Sequence, residues 1–152
     1  MPAIIVGIDG SGHSQRALEW AVREAAARHL PLMVITVYQG VAGVWGSAIA
    51  RPDDSALAEH AQKAAQAQLD EALARSGESQ PASVVVRAVS GKPAEKLFSA
   101  AEDASLIVVG SRGTGGFARL PLGSVASHLA HHAYCPVVII PAEYRRPNPQ
   151  HI

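Results

Sequence analysis

Five short apolar runs punctuate the chain: Ala3 to Ile8, Leu32 to Val37, Val84 to Val89, Leu106 to Val109 and Val137 to Ile140. Most are nearly continuous in their apolar residues rather than alternating with polar ones, which predicts strands buried on both faces. Between them, apolar positions recur at helical spacing. Leu18, Ala21, Val22 and Ala25 follow the turn Asp9-Gly10-Ser11-Gly12-His13-Ser14, and Pro31 stops that helix. Ala58, Ala61, Ala65, Leu69 and Ala72 form a second stripe, with Asp53, Asp54 or Ser55 as its cap and Gly77 at its end. Ala94, Leu97, Phe98 and Ala101 make a short third helix after the turn Gly91-Lys92-Pro93. Val125, Leu129 and Ala133 make a fourth, with Ser124 placed to cap it. Gln39 to Asp54 is a long connection containing Trp45, which reads as a satellite core plug.

Five strands alternating with four helices predict an α/β fold: a parallel five-stranded sheet, doubly wound, with helices on both faces. Right-handed crossovers and one reversal of direction give the order 3-2-1-4-5. Strands 1 and 4 are then neighbours, and ligands of open α/β sheets bind at the carboxyl ends of the strands where the order reverses.

Composition narrows the class. The chain has 152 residues, 48% hydrophobic and 17% charged, consistent with one globular domain. We expect that domain to span residues 1–142, followed by a polar, proline-interrupted flexible tail over 143–152. Thirteen basic residues balance thirteen acidic ones, so no basic excess points to nucleic acid. The start of the chain has no basic region ahead of a long apolar stretch, and no run approaches a membrane span. A cytoplasmic protein without membrane contact is the expectation. The single cysteine, Cys135, rules out an internal disulfide and, beside Pro136 at a strand start, reads as structural.

The candidate chemistry gathers after strands 1 and 4. Strand 4 ends at Val109-Gly110, and a loop with Gly113, Gly115, Gly116 and Gly123 leads to Ser124 and the last helix. Glycines let backbone N–H groups approach an anion, and a helix start favours negative charge, so this order of elements predicts a phosphate site. It is not a Walker A loop, because no Gly-Lys-Ser/Thr follows, nor the dinucleotide fingerprint Gly-x-Gly-x-x-Gly. Arg112 and Arg119 lie in the loop where a guanidinium can pair with phosphate oxygens. Asp9 follows strand 1 directly; it can order its turn, and beside phosphates it should face the nucleoside or a metal ion. His128, His131 and His132 share a helix, but no carboxylate or cysteine stands at ligand spacing, so they read as a solvated face and no protein metal site is assigned.

Two motifs carry a resemblance. Gly110-x2-Gly113-x9-Gly123-Ser124 resembles the nucleotide-binding signature of the universal stress protein family, and Asp9-x-Ser11-x2-Ser14 is similar to its first motif. The resemblance runs from Ala3 to Pro141 and implies the adenine nucleotide alpha hydrolase-like, Rossmann-like version of this fold. It implies that Val37 offers backbone groups to adenine, and that Gly110, Arg112, Gly113, Gly123, Ser124 and Val125 meet ribose and phosphate. Gly7, Asp9, Ser11, Ser14 and Val109 complete the nucleotide-binding set. It further implies ATP carrying Mg²⁺ on its phosphates, a stress-response signalling role, and a homodimer through the edge strand Val137 to Ile140. No lysine, base or acid is placed for catalysis, so slow ATP hydrolysis is an alternative, as is a member that prefers cyclic AMP or AMP.

Overall fold

Each of the five apolar runs forms a strand. The computed structural model describes residues 2–39, 53–111 and 123–141. Within them the strands are β1 (Ile4–Ile8), β2 (Leu32–Tyr38), β3 (Val84–Ser90), β4 (Leu106–Gly110) and β5 (Val137–Ile140). The helices are α1 (Gly12–Arg28), α2 (Asp53–Arg75), α3 (Pro93–Ala100) and α4 (Ser124–His132), with a 3₁₀ turn at Ala101–Asp103. The strands join into one sheet in the order β3-β2-β1-β4-β5, and every pairing is parallel. This is the expected doubly wound architecture.

Strand alternation divides the core into two layers. Ile4, Val6 and Ile8 of β1 face α1 and α2, where Leu18, Val22, Ala25, Ala65, Leu69 and Ala72 are buried. Ile5, Ile107 and Val109 face the other way, onto Leu97, Ala101, Ala126 and Leu129 of the α3 and α4 side. The alanine stripe of α2 brings that helix close to the sheet, as its small side chains require, although only Ala65, Leu69 and Ala72 are fully buried.

Several ends differ from the sequence reading. The turn after β1 is shorter than expected, because α1 begins at Gly12 with Ser11 as its cap. His29, in the left-handed conformation, ends α1 two residues ahead of Pro31. Gly123, not Ser124, is the cap residue of α4: its backbone is extended (φ −70°, ψ 163°) and Ser124 already has helical geometry. Ala133 lies just beyond the helix in extended geometry, so the buried positions of α4 are Ala126 and Leu129. Ala101 falls in the 3₁₀ turn that tightens the end of α3. Helix ends depend on a few local hydrogen bonds, and an apolar stripe does not report them. The Gln39 to Asp54 connection with Trp45, the residues 112–122 with Arg112, Gly113 and Arg119, and the tail 143–152 lie outside the described residues in whole or in most of their length.

Candidate nucleotide site

The two motif-bearing segments meet because of the sheet order. β1 pairs with β4 in the register Ile4↔Leu106, Ile5↔Ile107 and Val6↔Val108, so the carboxyl end of β1 at Gly7 and Ile8 runs beside Val109 and Gly110. β2 flanks β1 on the other side, with Ile8 opposite Thr36, which brings Val37 level with Asp9. The order reverses between β1 and β4, since the connections through α1 and α2 build the sheet one way and that through α3 returns. A crevice at such a reversal is the usual ligand position of this architecture.

The Asp9-x-Ser11-x2-Ser14 motif builds the start of α1. Asp9 Oδ1 accepts hydrogen bonds from the Ser11 amide at 2.9 Å and the Ser11 hydroxyl at 2.5 Å. Ser11 Oγ in turn accepts from the Ser14 amide at 3.2 Å, and the Ser14 hydroxyl donates to the Ser11 carbonyl at 2.9 Å. Ser14 is buried, so this last bond satisfies a hydroxyl that would otherwise be costly to hide. The motif therefore has a local structural role, the Asx-turn role considered for Asp9.

The second segment is shaped differently. Ser111 donates its amide to the Ile140 carbonyl at 2.8 Å, and Gly123 donates its own to the Ser111 carbonyl at 2.5 Å. These bonds pin the amino end of α4 directly beyond β4. Gly123 offers no side chain, and the start of α4 has no side-chain cap hydrogen bond and no acidic residue in its first turn. A helix start of this kind presents amide donors and the positive end of the helix dipole, with no acidic residue in its own first turn. α1, by contrast, is capped by Ser11.

Other members of the expected set are placed as backbone. Val109 is buried and pairs with Ile139, while Val37 pairs with Val89 and packs half-buried against the α3–α4 layer. The buried side chain of Val109 leaves its main-chain groups as what it can present at the strand end. Gly7 has a packing reason to be glycine: a Cβ there would stand 2.7 Å from Leu97 Cδ1 and 3.0 Å from Cδ2. Val125 is half-buried and Ser124 exposed at the first turn of α4. Arg112 and Gly113 lie outside the described residues.

Sequence reasoning missed two glutamines. Gln15 donates to the Gln68 carbonyl at 3.1 Å, and the Gln68 amide donates to Gln15 Oε1 at 3.1 Å and to the Ser11 carbonyl at 3.4 Å. Together they tie α2 to the amino end of α1, the side of the crevice where Asp9 stands. Residues 53 positions apart in sequence give no local signal of this contact.

Two further features bear on the chemistry. Burial pushes the Cys135 thiol up from its ordinary range, and a backbone hydrogen bond at Ile107 offsets only part of that; a raised thiol is a poor nucleophile at neutral pH. An open groove of about 470 Å³, lined by Pro2, Ile5, Met33, Ala100 and Asp103 among others, lies at the amino ends of β1 and β2. It contains no residue of either motif and sits at the wrong end of the strands for the crevice. Among the described residues no group of three or more His, Cys, Asp or Glu gathers as a metal site, and no helix is long and apolar enough to cross a membrane.

Fold and site together define a doubly wound α/β protein with an anion-favouring helix start at its strand reversal. The chain belongs to the universal stress protein family, whose model matches residues 1–141. It is 34% identical over 160 residues to the universal stress protein Rv1996 of Mycobacterium tuberculosis, covering 97% of this chain and 50% of that protein. The chain thus spans about half the length of the curated relatives it matches. Among solved structures, it resembles a universal stress protein in complex with cAMP (TM-score 0.67, 26% identity, 93% of this chain and 98% of that one). A universal stress family protein from Burkholderia pseudomallei is similar with a TM-score of 0.60 and 32% identity over 91% of this chain and 96% of the other.

Proposed function

We propose that the chain is an ATP-binding universal stress protein, in which an adenine nucleotide with Mg²⁺ on its phosphates occupies the crevice between β1 and β4. The observation that carries this reading is the amino end of α4, held against Ser111 by the Gly123 amide and without a side-chain cap or acidic neighbour in its first turn. Phosphate oxygens suit such a group of donors. Gly110, Gly123, Ser124 and Val125, with Arg112 and Gly113 of the intervening sequence, would hold the phosphates and ribose. Asp9 and the main chain of Val37, with Gly7, Ser11, Ser14 and Val109 around them, would form the nucleoside end. The metal would arrive on the nucleotide, since the residues described at the crevice give it oxygen neighbours but no cage of their own.

The reading is of a cytoplasmic binding and signalling module rather than an enzyme. Neither motif places a lysine on the β/γ-phosphates or a base for water, so hydrolysis, where it occurs, is slow. A second reading, a preference for cyclic AMP or AMP, is supported by the 26%-identical relative in complex with cAMP.

Competition calorimetry tests both. ATP with Mg²⁺ should bind in the micromolar range, about −8 kcal/mol, and FMN and NAD should not displace it. Tighter binding of cyclic AMP or AMP than of ATP selects the second reading. Failure of every adenine nucleotide to bind ends the proposal.

A further inference from the structure

The histidines of α4 read in sequence as a solvated face, but the rings of two of them stand close together. His128 and His132 lie one helical turn apart, with ring centroids 4.7 Å apart and planes inclined at 47°. Two imidazoles bound to one ion at about 2.0–2.1 Å per nitrogen have ring centroids roughly 4.7–5.2 Å apart for angles at the metal of about 95–110°. The observed separation is at the edge of that range, so the spacing of the two rings admits one shared ion.

The surroundings favour the same conclusion. Phe98 of α3 meets the His128 ring edge-on, centroids 6.1 Å apart at 83°, and Tyr134 leans on Phe98 at 5.4 Å. This contact restrains His128, so less rotamer freedom is lost when a ligand fixes it. His128 is half-buried and His132 exposed, which leaves the pair open to an ion from solvent. His132 stands in the last turn of α4, where the carbonyl end of the helix favours positive charge. His131 points elsewhere: the next residue on a helix is turned by about 100°, and its ring is 6.3 Å from that of His132.

We propose that His128 and His132 form a two-histidine site for a borderline-soft divalent transition ion of the Cu²⁺, Ni²⁺ or Zn²⁺ class, with water completing the coordination. Imidazole donors select these ions, whereas Mg²⁺ and Ca²⁺ require oxygen ligands. The site lies on the α3–α4 surface and is independent of the nucleotide reading.

The test uses the full chain without a histidine tag, titrated with Cu²⁺ under electron paramagnetic resonance and with Zn²⁺ by calorimetry. His128→Gln and His132→Gln should each weaken the tightest site by about tenfold or more, and His131→Gln should leave it unchanged. The Cu²⁺ spectrum should show two coordinated imidazole nitrogens in the parent and fewer in either of the first two variants. The exposed His132→Gln variant, checked by circular dichroism, keeps the test valid if His128→Gln disturbs packing on Phe98. Equal affinity of the parent and the His128→Gln/His132→Gln double variant overturns the proposal, as does a loss in His131→Gln as large as that in His132→Gln.

Discussion

Asp9 shapes its own turn through Ser11 and, in the proposed site, also faces the nucleoside; one substitution can separate these roles. Asp9→Asn keeps a side-chain oxygen for the Ser11 amide but removes the charge. We expect it to cost no more than about 1 kcal/mol of stability, the worth of a carboxylate charge near a helix start. ATP should bind several-fold more weakly, while inorganic triphosphate binds as well or better because a nearby negative charge is gone. Equal losses for both ligands, measured by calorimetry, would contradict the placement of Asp9 at the nucleoside end. Residue roles were only partly legible in the sequence. The spacing Asp9-x-Ser11-x2-Ser14 reads directly as a turn and cap because its hydrogen bonds are local. Gly7 does not read so directly, since the reason for its missing side chain is Leu97, ninety positions along the chain and on another element.

That contact governs how α3 seats on the sheet. Gly7 lies on the face of β1 toward α3, where an added Cβ would press on both terminal carbons of buried Leu97. Gly7→Ala should therefore cost about 1–3 kcal/mol through overpacking. Leu97→Ala should cost about 2–5 kcal/mol by leaving a cavity. The double variant should be more stable than the sum of the two by at least about 0.5 kcal/mol, because each change relieves the other. Strict additivity in denaturant titrations would show that α3 does not meet β1 as described. At this scale the apolar runs and stripes were enough to locate every strand and helix among the described residues. Their ends were less legible: Ser124 and Ala133 stand just inside and just outside α4 for reasons of backbone geometry that hydrophobicity does not encode. Gln62 illustrates what pattern cannot show. From α2 it accepts from the Ala88 amide at 3.1 Å and donates to the Val86 carbonyl at 3.0 Å, standing in for a strand neighbour along the outer edge of β3. An uncovered edge invites pairing with other chains, and a polar residue in an alanine-rich helix gives no hint that it performs this service.

The order of the strands was legible because handedness and the alternation of elements leave few arrangements open. It brings two sequence motifs about a hundred residues apart to one end of the sheet. The other edge, β5, is a strand with Val138 and Ile140 packed partly on one core layer and Val137 and Ile139 partly on the other. All four are only half-buried. We propose that a second copy covers this edge, giving a homodimer about a two-fold axis. Sedimentation equilibrium should find twice the chain mass at tens of micromolar, and a monomer at high concentration would contradict it. The central claim, that an adenine nucleotide sits where β1 and β4 end, is tested most directly by amide resonance mapping during titration with ATP and Mg²⁺. The account predicts shifts concentrated at Gly7 to Ser14, at Val109 to Ser111 and at Gly123 to Ala126, with the amides of Ala3, Met33 and Ala104 at the opposite end of the sheet unmoved. No shifts at saturating nucleotide, or shifts centred on that opposite end, would contradict it.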